Sequence, residues 1–445
     1  MKLVSGLGLV CCIILVVAGS VLCAPKPKVA STIAVPKFLN VTKDASIDWL
    51  CSGFAETLST KLTRVSGLQL VERSRLSEAI KELKLQSTAL VNPSTAKKLG
   101  LFVGAEYVII GSFQKVGDKV KADARQIEVE TGKVTGAVDA VVSADSLLDL
   151  QTQIAVKLIG TLGRKASESE SEKLAKPETS SVSAYEWNAR GIQQTDVWNY
   201  DEAIITFTHA LQLDEKYAAA YFNRGLAYYG KKDLDSAIAD YSKAIELEPT
   251  YYSAYINRGV AYEDKKICNK AISDFSKALS IKAGSPEALN NRANSYKRIG
   301  DNQQALRDYN AAIKLHPKDS LLYYNRGNLY VIMGKCGPAE DDYSNAIELN
   351  PEYEQAYNNR GSCLSRQGLC FRALADYRKA ITINPEYAIP YYNMGLELEG
   401  LRKYTAAIES FRKYVKLADS DSSDRIQKTL IKIQKLNKGN RISEH

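Results

Sequence analysis

Histidine is nearly missing from this chain, with three in 445 residues: His209, His316 and His445. That scarcity leaves no Ser/His/Asp arrangement to propose and removes the side chain most often used as general base and metal ligand. Cysteine occurs eight times but never as CxxC and never clustered with histidine, so no zinc site of ordinary spacing can be assembled. Glycine-rich phosphate loops are missing too, since Gly100 to Gly104 is too sparse to act as one. Asp44 and Glu56 read as surface carboxylates rather than an acid/base pair. The net charge of +8 would suit a polyanion, but Arg425, Lys428, Lys432, Lys435, Lys438 and Arg441 place much of it at the extreme end. No row of cations is laid out for phosphates. The composition therefore implies no enzyme, no cofactor, no metal and no nucleic-acid partner.

Charge is also missing from Leu3 to Ala24, behind Lys2 and ahead of Pro25-Lys26-Pro27-Lys28. Residues 1–24 read as a secretory signal, either cleaved or kept as an anchor, and Cys23 follows Leu22 rather than the small residue a lipoprotein site needs. Export is expected on both readings. Cys11, Cys12 and Cys23 fall in that segment, which leaves Cys51, Cys268, Cys336, Cys363 and Cys370. An odd number cannot all pair internally, and the three at the seventeenth place of their blocks, Cys268, Cys336 and Cys370, read as small apolar packing residues rather than disulfide partners or metal ligands.

What the chain has in abundance is repetition. Seven blocks of 34 residues run from Ala184 to Asp421 without insertion: 184–217, 218–251, 252–285, 286–319, 320–353, 354–387 and 388–421. The eighth place is small every time, at Gly191, Gly225, Gly259, Ala293, Gly327, Gly361 and Gly395. Alanine recurs from Ala203 to Ala407, and a ring recurs four places later at Phe207, Tyr241, Phe275, Tyr309, Tyr343, Tyr377 and Phe411. Four blocks close on Pro249, Pro317, Pro351 and Pro385. Each block therefore predicts two helices that approach closely at the small residue, with proline stopping the second. These residues and this spacing resemble the tetratricopeptide repeat, which implies a superhelical solenoid with a concave groove and capped ends. Residues 422–436, with Ile426, Leu430 and Ile433 on one face, are expected to form the capping helix, and 437–445 a basic tail.

The sixth place carries Asn223, Asn257, Asn291, Asn325, Asn359 and Asn393. In tetratricopeptide folds that place lies on the groove-facing helix, so the carboxamides are expected to stand in a ladder that pairs with the backbone of an extended peptide. The stripe resembles the asparagine ladder of the O-GlcNAc transferase superhelix, in these six residues alone. Phe222, Tyr229, Ile256 and Tyr324 are expected to supply largely uncharged wall beside it. A carboxylate clamp is not expected, because the places one turn earlier hold Ala219, Ser253, Glu287, Leu321, Gln355 and Ile389. Arg224, Arg258, Arg292, Arg326 and Arg360 are matched within their own blocks by Asp240, Asp274, Asp308, Asp342 and Asp376, and Met394 is matched by Ser410. That joint loss predicts an ion pair inside each repeat.

Ahead of the array, 30–163 reads as an α+β domain of about five strands. Strands are expected near Thr32–Val35, Leu68–Val71, Tyr107–Lys115, Val120–Glu128 and Val134–Val142, with helices near 49–62, 75–85, 94–99 and 146–162. The runs Val71-Glu72-Arg73-Ser74-Arg75-Leu76, Glu82-Leu83-Lys84-Leu85-Gln86, Ala96-Lys97-Lys98-Leu99-Gly100 and Gly104 to Ser112 resemble the CsgG-like curli-assembly family. The resemblance implies a bacterial periplasmic or outer-membrane setting, with the domain able to form homo-oligomers or dock to envelope machinery. Residues 164–183, rich in Ser, Glu and Lys, are expected to be a flexible linker that lets the halves move independently. The functional expectation is an exported scaffold that binds protein segments in its groove. The alternative is an oligomeric secretion or assembly component that the repeats recruit.

Overall fold

The computed structural model describes residues 31–443, apart from residues 66, 72, 144–145 and 420–421. The signal segment 1–24 lies outside the described residues. An α+β domain is followed by an all-α solenoid of seven helix pairs.

The front sheet has strands β1 (Ser31–Ala34), β2 (Leu39–Asn40), β3 (Leu68–Leu70), β4 (Tyr107–Val116), β5 (Lys119–Glu128) and β6 (Val134–Ser143). Their order is β3-β1-β4-β5-β6, with β2 pairing β4 alongside that path. β1 is parallel to β3 and β4, whereas β4, β5 and β6 form an antiparallel meander. The β4–β5 turn works because Gly117 takes a left-handed φ of 63°. Helices α1 (Leu50–Thr63) and α4 (Leu147–Thr161) bury Phe54, Leu58, Ile154 and Leu158 with Phe113, Val120 and Ala122 on one face. Helices α2 (Arg73–Glu82) and α3 (Pro93–Val103) bury Leu76, Ala79, Leu99 and Val103 with Val108, Ile110 and Ile127 on the other. Period-two alternation in β4 and β5 supplies both faces. Asn92 caps α3, Pro93 opens it, and Gly104 ends it in the left-handed region.

The linker differs from expectation. Residues Glu168–Ala175 form helix α5, closed at its start by a reciprocal Ser167/Glu170 capping box. Leu174 is fully buried in the front domain's core, and the Lys61 ammonium donates to its carbonyl at 2.6 Å. Thr179 then donates to Asp214 of the first repeat at 2.5 Å. A segment pinned by an apolar anchor and a buried cation is a splint, not a tether.

The seven pairs are α6 (Val182–Asp196) with α7 (Tyr200–Leu213), α8 (Ala218–Gly230) with α9 (Leu234–Leu247), and α10 (Tyr252–Asp264) with α11 (Cys268–Ile281). They continue as α12 (Pro286–Arg298) with α13 (Asn302–Leu315), α14 (Ser320–Ile332) with α15 (Cys336–Leu349), α16 (Glu354–Arg366) with α17 (Cys370–Ile383), and α18 (Ala388–Gly400) with α19 (Tyr404–Leu417). A Cβ on Gly259 would meet the Phe275 ring at 2.6 Å, which is the close approach the small residue permits. Helix α20 (Ser423–Ser443) caps the end and continues past the expected boundary at 436 through most of the basic tail. Its inward face is Thr429 and Ile433, with Leu436 packed beside them, whereas Leu430 is 40% exposed. Places 429, 433 and 436 follow the helical repeat of a buried stripe, and Leu430 falls one residue outside it.

Candidate functional site

First helices of neighbouring repeats touch one another, and contacts between successive second helices are sparser. The first helices therefore form the inner wall of the superhelix, and the sixth-place asparagines stand on them.

The amides are not uniformly free. Asn223 donates to Asn188 at 3.1 Å, Asn325 to Asn290 at 2.8 Å and Asn393 to Asn358 at 2.9 Å, each reaching the fifth place of the preceding repeat. Asn359 donates to the Tyr324 hydroxyl at 3.3 Å and to Asn328 at 3.0 Å. Asn257 turns to its own helix, donating to the Ser253 carbonyl at 3.0 Å. Asn291 accepts a long 3.4 Å bond from its neighbour Asn290. The pattern has a local cause: where the preceding fifth place is polar, the asparagine is engaged across the repeat boundary. Where that place is Phe222 or Ile256, no partner is offered. Asn257 and Asn291, adjacent and half-buried, are the two left without a bond across the boundary.

Two expected wall residues belong to the core instead. Phe222 is 5% exposed, with its ring 5.8 Å from Tyr241 and 5.0 Å from Tyr251, and Ile256 is 2% exposed. Tyr324 is half-buried in the same place, 5.9 Å from Tyr343 and 4.8 Å from Tyr353. The fifth place meets the ring of its own second helix and the tyrosine that closes its own block, so its side chain is enclosed. Tyr229 is half-buried and donates to Asp264 at 2.7 Å. Near Asn291 the wall carries Lys297, whose amine burial pushes down, and Glu263, whose carboxyl burial pushes up.

The intra-repeat ion pairs are present in all five blocks, two-pronged in each, at 2.6 to 2.9 Å. A third bond escaped the sequence reading. Each arginine also donates backwards, to Thr208, Ser242, Ser276, Asn310 or Ser344 of the preceding repeat. The signal was a small polar residue recurring at the twenty-fifth place. Arg190 finds Glu186 at 2.7 Å instead.

The front domain docks on the first two repeats through a polar rim around shared core. Arg73 donates to Asp196 at 2.6 and 3.0 Å, Lys37 pairs with the same carboxylate at 2.6 Å, and Ser52 donates to it at 3.2 Å. Arg73 also reaches Glu56, so that carboxylate is a docking group. Arg64 grips Glu248 at 3.1 Å. Between these, Trp49 lies edge-on to Tyr185, and Gly53 faces Ala189 so closely that an added Cβ would sit 2.5 Å away. Burial pushes the Lys61 amine down and the Glu178 carboxyl up, and their mutual attraction opposes both shifts. Surface recesses lie at the turn ends, one lined by Lys266, Ile267, Cys268 and Arg298, away from the asparagines. Among the described residues no helix is long and apolar enough to cross a membrane.

This arrangement defines a helical-repeat, protein-interaction scaffold. The family description "Tetratricopeptide repeat" matches residues 218–251, 286–319, 324–388 and 388–421, "TPR repeat" matches 199–232, and "Curli production assembly/transport component CsgG" matches 17–121. The chain carries tetratricopeptide repeats behind a CsgG-like domain. Among solved structures, MamA is 27% identical, with a TM-score of 0.35, over 37% of this chain and 96% of its own. YrrB, described as a TPR protein with an unusual peptide-binding site, is 24% identical, with a TM-score of 0.35, over 41% and 95%. A tetratricopeptide repeat protein from Parabacteroides merdae is 19% identical, with a TM-score of 0.48, over 57% and 100%. Among curated proteins, none matches significantly.

Proposed function

We propose that this chain is an exported scaffold that holds an extended protein segment along the inner wall of its repeats and is fixed in the cell envelope by its CsgG-like domain. The observation that carries the reading is the pair Asn257 and Asn291. They stand on adjacent inner helices and are half-buried, with no carboxamide bond to the neighbouring repeat. A carboxamide so placed can both donate to and accept from a passing backbone. The other four asparagines stiffen the wall by tying repeat to repeat. Envelope placement is supported by the CsgG-like match and by the apolar run from Leu3 to Ala24.

The test is a peptide selected from a random display library on the full chain, then titrated against wild type and the Asn257→Ala/Asn291→Ala double variant. Loss of two backbone bonds weakens binding by about tenfold or more, with helicity unchanged. The same peptide bound with unaltered affinity removes the backbone-reading role. Cell fractionation tests placement separately: recovery with cytoplasmic markers would remove the exported reading while leaving the groove untouched.

A further inference from the structure

Stacking sets the seventeenth place of each block against the tenth place of the next. Tyr200 packs in one cluster with Ala227, and Cys370 meets Glu397. Other boundaries place Leu234 with Ala261, Cys268 with Ser295, and Asn302 with Leu329 in these positions. At the boundary between the fifth and sixth repeats both places are cysteine. Cys336 opens α15 and is half-buried, and Cys363 in α16 is 1% exposed. The two pack in a single cluster around Ala339 and Tyr343, and both are free thiols.

We propose that Cys336 and Cys363 are a disulfide site that staples the fifth repeat to the sixth. The reading of Cys336 as packing only is thereby extended, and the odd cysteine count is accommodated, since Cys51, Cys268 and Cys370 stay free. The oxidant is an external low-molecular-weight disulfide such as oxidised glutathione. The Cys336 thiolate, the more accessible of the two, attacks one sulfur of that disulfide, forming a mixed disulfide and releasing one glutathione thiolate, which takes up a proton. The Cys363 thiolate then attacks the Cys336 sulfur, forming the protein disulfide and expelling the second glutathione. Two protein thiols lose two electrons and two protons, and one external disulfide becomes two thiols. Burial pushes the Cys363 thiol up, and the Cys336 sulfur beside it adds to the effect. Its thiolate is therefore scarce, and closure quickens as pH rises. The closed loop is shorter than one repeat, yet it crosses a repeat boundary and fixes the angle there. The proposal is independent of any groove ligand, and its occupancy in a cell follows the oxidising character of the compartment.

The experiment uses the full chain, incubated with oxidised glutathione at pH 8, then alkylated, digested and mapped by mass spectrometry. The expected result is a peptide linking Cys336 to Cys363, with Cys268 and Cys370 alkylated. Melting should rise by about 4 °C and fall back with dithiothreitol. Cys336→Ser removes the link and the shift, and Cys363→Ala does the same while filling the buried place with an apolar group. Glutathione retained on Cys336 with Cys363 alkylated in a folded chain overturns the proposal. So does complete alkylation of both cysteines after oxidation.

Discussion

At the scale of single residues, the repeats are as informative where they differ as where they agree. The fifteenth place has a left-handed backbone in all seven, with Trp198, Lys232, Lys266, Gly300, Gly334, Gly368 and Arg402 at φ between 57° and 82°. Only three are glycine, so four repeats carry strain that a side chain makes worse. Gly334 has open space where a Cβ would go, so Gly334→Ala isolates the backbone cost. It should destabilise by about 1 kcal/mol, whereas Lys266→Gly should stabilise by roughly 0.5 kcal/mol, both read from urea midpoints. Equal midpoints for the two variants would contradict this account of the turn. Such a place is hard to find in the sequence, because lysine and arginine there look like ordinary turn polarity. The arginine–aspartate pairing was legible for the opposite reason: Met394 and Ser410 lose both members together, and the structure shows the other five pairs closed. The asparagine row was legible as a row but not in its bonding. Whether each amide is engaged depends on a residue 35 positions away, and nothing local in the sequence announces that.

At the scale of elements, the decisive piece is the junction of α1, α2 and α5 with α6. The Ser/Glu/Lys composition of 164–183 suited a tether, yet a single leucine at 174 and a capping box were enough to fold and bury it. Composition averages over a segment, whereas docking turns on one side chain. Asp196 holds the rim together by accepting from Arg73, Lys37 and Ser52. Burial alone would raise its carboxyl, but the Arg73 and Lys37 cations outweigh that and hold it below the ordinary 3.8. A carboxylate depressed in the folded state stabilises fully above its unfolded value, and the contribution is lost as pH falls through the folded value. The junction should therefore loosen below about pH 4 and stay closed above it. Asp196→Asn leaves a hydrogen-bonding group but no charge, and should cost roughly 2 kcal/mol at neutral pH. Hydrogen exchange in α5 and α6 reads both effects: faster exchange in the variant at pH 7, and a smaller acid response than in wild type. An unchanged acid response in the variant would assign the loosening to another group.

At the scale of the whole molecule, the front domain is the cap that the solenoid's first pair needs. A repeat array must cover its end helices, and α20 does so at one end with Ile433 and Thr429. At the other end α6 is covered by the front domain. One continuous core runs from Phe54, Leu58 and Leu158 through Leu174 to Tyr185, Ala189, Tyr217 and Ala220. Sequence reading divided this body in two because its repeat period begins at 184, but the physical boundary is not there. Whether the halves are joined by contact or by chain alone can be decided by cutting the chain between 163 and 164. Coexpressed as separate polypeptides, 25–163 and 164–445 should elute together in size exclusion. The shared apolar face and the Arg73–Asp196 and Arg64–Glu248 pairs remain available without the peptide bond. Carrying Asp196→Asn on the second fragment should weaken that complex without unfolding either part. Two tethered, independent domains would instead elute apart with or without the substitution, and the front domain would then be free to assemble by itself.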